Sequence, residues 1–380
     1  MGQRGFMGTG LVTSSVAPLR VGVIGTGLIA RLMHLHYLAA LPELFSVVAV
    51  CDVVPDNAKY CAERYGIGRA HTDWQDLIGE PLDAVFVLTS GSHAPMAIAA
   101  AKAGMHVFVE KPMCFSVAEG KAMVAAADAA GVTLMVGYPK RYDLAYEAFA
   151  AEAVRATKAR LLRVTTMESP FRPYLQHQNL TPLAPMPPHV ARGLWESAQT
   201  AVTNAIGPAD DLARNVYENV LLDTLVHELN TVRGILGEPD RLDYADLREE
   251  SVTVLFRFGE VRAAIHWLDL PGIVRYEMEF ALYAPDRRVS LTFPSPFLRD
   301  EPAALRVEGG ETGTPRSWRR DELLGFESAF KRELVAFHDS VTRGTQPVTS
   351  GRDGLADIKL CESIVECYRT GRPVPHPAAA

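Results

Sequence analysis

Cysteine is sparse in this chain: five residues in 380, Cys51, Cys61, Cys114, Cys361 and Cys367, with no C-x-x-C pair among them. An odd number set in apolar patterns rather than loops does not read as a disulfide framework and implies a reducing compartment. Basic runs interleaved with aromatics are missing too, and 38 basic against 45 acidic residues leave a net charge of -7. Nucleic acid is therefore not an expected partner. Nowhere do 18 apolar residues run without charge, which removes a membrane-spanning helix from the expectations. The opening stretch lacks the long apolar segment of a signal peptide and carries Phe6 where a myristoylation signal needs Ser or Thr. Residues 1–18 read as a flexible leader, and a cytoplasmic location is expected. Metal-ligand spacing is also absent: His34 and His36 are two apart on a helix and face different ways, so no metal is expected.

What is present is a globular core-former, 48% hydrophobic and long enough for two domains. From Leu19 to about Pro139, the β-rich runs LRVGVIG, SVVAVCD, DAVFVLT, HVFVEKP and TLMVGYP alternate with Ala-rich or amphipathic stretches. Near-continuous apolar strands separated by helices predict a parallel sheet covered on both faces, with ligands held at the carboxyl ends of its strands. After the first run, Gly25-Thr26-Gly27-Leu28-Ile29-Ala30 opens a helix. Gly25 allows a tight turn, Gly27 lets the backbone approach a pyrophosphate, and Ala30 stands where the third glycine packs helix on strand. Asp52, at the end of VVAVCD, can accept the ribose hydroxyls of a dinucleotide and repel a 2′-phosphate, so NAD is expected over NADP. Thr89 and Ser90, in TSGSH, are placed to wrap the cofactor ribose. His93 reads equally as a cofactor contact or a capping residue.

Charge directly behind a buried strand marks the next candidate. In FVEKPMC, Lys111 can donate to a substrate oxygen near the nicotinamide, and Glu110 either orients that lysine or touches the cofactor. Cys114 lies nearby without a sequence-adjacent base and is expected to pack behind the loop. In the helical stretch NVLLDTLVHELNTVRGILGEPD, Asp223 and His227 are four apart and predicted to share a face. A carboxylate one turn before a histidine can fix its tautomer and stabilise the imidazolium formed when it takes a proton. Tyr138, Lys140, Arg141 and Tyr142 can reach hydroxyls or an anion, or simply begin a polar helix. Residues 170–215 form a long connection, helical from about Val190 to Ala205, where specificity is expected near Arg172, Tyr174, His177 and Arg192. Further on, SVTVLFRF, VRAAIHWLDL, RYEMEFALY and RRVSLTF alternate between short turns and read as antiparallel strands.

The glycine turn, Asp52, AGMHVFVEKPM and the C-terminal RELVAFHDSVTRGTQPVTSGRDGLADIKLCESIVECYRTGRPV together resemble the Gfo/Idh/MocA oxidoreductases from Leu19 to Val374. The resemblance implies an NAD-binding Rossmann domain over residues 19–140. It also implies a substrate-binding and oligomerisation domain over residues 141–380, with an open, mostly antiparallel sheet and a C-terminal helix that packs back on the first domain. It implies that Lys111 positions substrate, His227 is the acid/base and Asp223 supports it, with self-association as dimer or tetramer; Tyr138, Arg141 and Arg172 are expected substrate contacts from their places in the sequence alone. The chain departs from the family's H-D-x-D pattern with His227-Glu228-Leu229-Asn230, which bears on the substrate rather than the reaction. The expected activity is NAD-dependent hydride transfer at a secondary alcohol or ketone of a sugar, cyclitol or related polyol. The alternatives are redox-neutral use of NAD on glycosides and a non-catalytic sugar or dinucleotide sensor.

Overall fold

The computed structural model describes residues 17–178 and 180–376. Residues 1–16, most of the expected leader, lie outside them. A parallel sheet comes first: β1 (Leu19–Ile24), β2 (Phe45–Cys51), β3 (Arg69–His71), β4 (Ala84–Val87), β5 (His106–Glu110) and β6 (Leu134–Gly137). Its order is β3-β2-β1-β4-β5-β6. Every residue of β4 and β6 is buried, the consequence of helices on both faces. The strand the sequence did not announce is β3, whose three residues lie at the sheet edge and carry no apolar signal. Winding reverses between β1 and β4, so a crevice opens above the carboxyl ends of β1, β4 and β5.

A nine-stranded sheet follows: β7 (Leu161–Glu168), β8 (Arg241–Leu247), β9 (Ser251–Phe258), β10 (Val261–Asp269), β11 (Glu277–Tyr283), β12 (Arg287–Phe293), β13 (Ala304–Gly310), β14 (Ser317–Leu323) and β15 (Val374–Pro375). The order is β14-β13-β12-β11-β7-β10-β9-β8-β15, antiparallel throughout except that β7 and β10 run parallel. Alternation makes it one-sided: Val164, Thr166, Ile265 and Trp267 are buried, while Thr165, Ala264 and His266 between them face the other way and stay half-exposed. The fold is thus an α/β Rossmann sheet followed by an α+β region with an open, mostly antiparallel sheet.

The last long helix, Gly351–Thr370, ties the two halves together. Ser350 caps its start, and it packs on both the helix Val117–Ala130 and β8. Gly354 permits this approach, since a Cβ there would stand 2.8 Å from Val136 of β6. Between β7 and β8 lie helices Arg172–Leu175 and Pro188–Ile206 and one long rod. The rod is α-helical over Asp211–Val216, π-helical over Tyr217–Leu225 and α-helical again over Val226–Leu236.

Candidate active site

The glycine turn sits at the crevice as the spacing predicts. Gly25 has φ +95°, and a Cβ there would meet the Leu88 carbonyl carbon and the Thr89 nitrogen at 2.7 Å. Around Gly27 the space is open: nothing lies within 4 Å of a Cβ built on it. Ala30 is packed at 1% exposure, closing helix against strand. Asp52 accepts from the Thr26 amide (2.9 Å), the Thr26 hydroxyl (2.7 Å) and the Val54 amide (2.9 Å), which fixes its carboxylate beside the turn. Thr89 keeps a buried hydroxyl oxygen without a hydrogen-bond partner among the described residues, and Ser90 beside it is exposed. Leu28 and Ile29 are half-exposed at the start of the helix. Open space at Gly27, a held carboxylate and an orphaned hydroxyl fit an extended dinucleotide with its pyrophosphate over the turn.

Two of the expected cofactor contacts are engaged elsewhere. His93 is fully buried, its Nδ1 2.7 Å from the Pro112 carbonyl oxygen and its Nε2 2.8 Å from that of Thr89. It braces the loop after β5 against the end of β4 and offers no free ring nitrogen. Glu110 lies 2.6 Å from His34 Nε2 and accepts from the Lys111 amide at 3.0 Å. Burial works to raise its pKa, but His34 and Lys111 outweigh that and hold it below the ordinary carboxylate value. Glu110 therefore orients the loop that carries Lys111. His34, at the end of the first turns after the glycines, is a partner that no local pattern marks.

Lys111 reaches across to the π-helical segment. Its ammonium donates to the Asp223 carbonyl (2.6 Å) and carboxylate (2.8 Å). The expectation that Asp223 supports His227 is corrected here. The Asp223 side chain, on the π-helical segment, is exposed and pairs with the lysine, and His227 Nδ1 receives nothing from it. His227 Nδ1 is buried without a partner among the described residues, and its ring stands edge-on to Tyr138 at 5.9 Å. Burial, then the charges of Lys140 and Lys111, push its pKa well below the usual imidazole value, so it is neutral at pH 7 and able to take a proton.

Three candidate substrate contacts stand differently from expectation. Tyr138 is buried to 1% exposure and serves as a wall behind His227. Arg141 donates to the backbone and side-chain oxygens of Asn230 at 3.1 Å and lies 3.7 Å from Asp353, so its guanidinium is committed between helices rather than aimed at the cleft. Arg172 is exposed at the start of a one-turn helix. Nearby, Tyr174 accepts from the Tyr276 amide at 2.7 Å, His177 neighbours Gln178, and Arg192 is exposed. Asn230 also has a structural explanation: its amide donates to Asp353 and Asp357, each at 2.7 Å, where a third carboxylate would meet two others. At Asn230 that departure has a packing role.

A buried polar cluster joins Lys140, already a candidate from the sequence, to two glutamates that were not. Glu228 is fully buried, accepts from the Thr166 hydroxyl and leaves its second oxygen unpartnered among the described residues. Burial pushes its pKa up to about 7. Lys140, 7% exposed, faces it across the interior, and burial lowers its pKa to about 8. Glu168, at the end of β7, is likewise raised by burial. Nothing local in a sequence marks a glutamate next to a histidine as buried.

Residues 19–138 match the family described as oxidoreductase family, NAD-binding Rossmann fold, the Gfo/Idh/MocA group. Relatives extend the match along the chain. A myo-inositol 2-dehydrogenase of Thermotoga maritima is 26% identical over 90% of this chain and 94% of its own length. A D-apiose dehydrogenase of Paraburkholderia graminis is 26% identical over 95% and 91%. Over residues 19–138 the chain is similar to the Gfo/Idh/MocA oxidoreductases. Among solved structures of the family's fold, an aldose-aldose oxidoreductase from Caulobacter crescentus complexed with glycerol superposes with TM-score 0.69 at 25% identity, covering 94% of this chain and all of the other. A levoglucosan dehydrogenase in complex with NADH has the same fold, with TM-score 0.73 at 20% identity over 95% of this chain and 100% of its own. A nicotinamide cofactor goes with this family.

Proposed function

We propose that this oxidoreductase is NAD-dependent and moves hydride at a secondary alcohol or ketone of a sugar, cyclitol or related polyol. The observation that carries the reading is that Lys111, from the end of β5, is bonded to Asp223 on the same rod that carries His227, at the carboxyl edge of the first sheet. A bound nicotinamide would accept or supply the hydride. Lys111 donates to the reacting oxygen and stabilises the negative charge that grows on it, and neutral His227 takes the hydroxyl proton. Asp223 holds the lysine at the mouth of the site. The Asp52 carboxylate favours NAD by accepting ribose hydroxyls and repelling a 2′-phosphate. The relatives named for inositol and apiose support a polyhydroxylated substrate. We assign cofactor binding to residues 19–140, and substrate binding and self-association to residues 141–380. The five thiols, all free and buried, support a reducing cytoplasmic setting.

Lys111→Ala and His227→Ala are each expected to lower turnover by about 10²–10⁴-fold, read as NADH absorbance on the best polyol found by a substrate screen. Unchanged turnover in either variant removes that residue from the chemistry.

A second reading, redox-neutral chemistry on retained NAD, is favoured by one feature. The stretch Thr181–Ala184 lies across the helix starts behind the glycine turn, where Ala184 donates to Asn57 at 2.9 Å and Arg31 donates to Asn57 at 2.8 Å. Cofactor that stays with the protein through gel filtration, with no net NADH formed, is its signature.

A further inference from the structure

Beside the candidate active site lies a second cleft that the proposed reaction does not use. It is small, with about 80 Å³ that water-sized groups can occupy, and it is partly open to solvent. Three segments wall it: the turn after β6, the loop after β12 and the loop leading into the helix Ala329–Arg343. Phe293, Pro294, Pro296, Leu298, Phe326 and Phe330 give it flat, apolar surfaces. Phe326 is 64% exposed, an aromatic ring left in water at the rim of a concave surface.

One polar group joins this cleft to the catalytic centre. Lys140 lines the cleft, is only 7% exposed, and no carboxylate pairs with its ammonium among the described residues. Its Nζ lies 5.9 Å from the centroid of the Phe293 ring. The same ammonium is near enough to His227 to lower that ring's proton affinity. The turn that carries Lys140 packs on the helix Val226–Leu236 that carries His227, and Phe330 of the cleft stands edge-on to His34, the partner of Glu110, at 5.8 Å, so a substituent on a ring at Lys111 and His227 is directed toward the cleft.

We infer that the cleft seats an apolar, ring-shaped substituent of the substrate, and that the enzyme acts on glycosides carrying an aromatic or similarly apolar aglycone. This rests on the dehydrogenase reading and narrows its substrate class. A bare polyol offers nothing to six apolar residues, whereas a flat ring stacks on the phenylalanines and removes their surface from water. Lys140 stands where the sugar meets its substituent and donates to an oxygen of the sugar.

The test uses the full-length protein with saturating NAD and matched methyl and phenyl glycosides of glucose, galactose, mannose and xylose. Binding is read by calorimetry and turnover by NADH formation. Wild type should bind the phenyl member of at least one pair about 10-fold more tightly than its methyl counterpart. Phe326→Ala, at an exposed position, and Leu144→Trp, which fills the cleft, should erase that difference while methyl-glycoside binding and the affinity for NAD stay unchanged. Equal affinity within every pair, or no heat from any phenyl glycoside at millimolar concentration, overturns the inference. So does a loss of NAD affinity in the two variants, which would make the cleft part of the cofactor site. Tight phenyl-glycoside binding without NADH formation leaves the cleft standing and overturns the NAD-linked oxidation instead.

Discussion

Gly25 and Gly27 stand two positions apart and answer to different demands. Gly25 takes a left-handed backbone against the end of β4, where any side chain collides with main-chain atoms. Gly27 faces open space and collides with nothing. Gly25→Ala should lower the melting temperature by several degrees. Gly27→Ala should leave it unchanged while weakening NAD about 10-fold or more, measured by fluorescence titration. If both variants bind NAD like wild type, the turn does not hold a pyrophosphate. Titration sets a second residue-scale expectation. His227, held well below the ordinary imidazole value, should add no acid limb of its own to kcat/KM for oxidation between pH 7 and 6, where Glu228, raised to about 7, is the group that titrates. Lys140, lowered to about 8, loses its proton as pH rises through that value, so kcat/KM should fall above it. In Lys140→Arg, which keeps its charge, the alkaline limb should move upward; an unmoved limb assigns it to another group.

At the scale of elements, the join between the rod and the last helix is electrostatic. Arg233 donates to Asp357 at 2.7 Å and to Glu238 at 3.1 Å, and Asp357 is wholly buried. Arg233→Ala strands that carboxylate and should cost about 3–5 kcal/mol by urea denaturation near pH 8. The Asp357 pKa is raised to about 7 even with its partner, so in the folded state it is largely protonated below that pH. The loss should shrink at pH 5; an equal loss at both values places the damage in packing rather than charge. What the sequence disclosed also sorts by element. β1, β2, β4, β5 and β6 were legible because burial on both faces demands an uninterrupted apolar run, and β9 to β12 because one buried face demands alternation. β14, SWRRDEL, is an exposed edge strand and offers neither pattern. Lys111 and His227 could be picked out because a charge after a strand and a histidine on an apolar helix are local oddities. The Lys111–Asp223 pair could not, since it depends on a π-helical segment that periodicity does not reveal. The roles of Glu228 and His34 escaped for a related reason: their burial is set by elements distant in the chain.

For the whole molecule, the half-exposed outer face of the second sheet, with Leu255, Ala264 and Leu268 upon it, is suited to pairing between copies. Light scattering should give a multiple of 41.5 kDa for the wild type and about one chain for Leu255→Glu/Leu268→Glu. A single-chain mass for the wild type would end the proposal of self-association. The parallel pairing of β7 with β10 reaches further, into how the protein is made. β7 lies at the middle of its sheet, between β10 and β11, yet it leaves the ribosome before either neighbour, whose residues end at Asp269 and Tyr283. The first sheet can close during synthesis, but the central strand of the second must wait for both partners, its Val164 and Thr166 unburied meanwhile. Biogenesis therefore has a vulnerable interval written into the strand order, and a ribosome stalled between residues 169 and 250 would present an unpaired strand to whatever chaperone or aggregating neighbour reached it first.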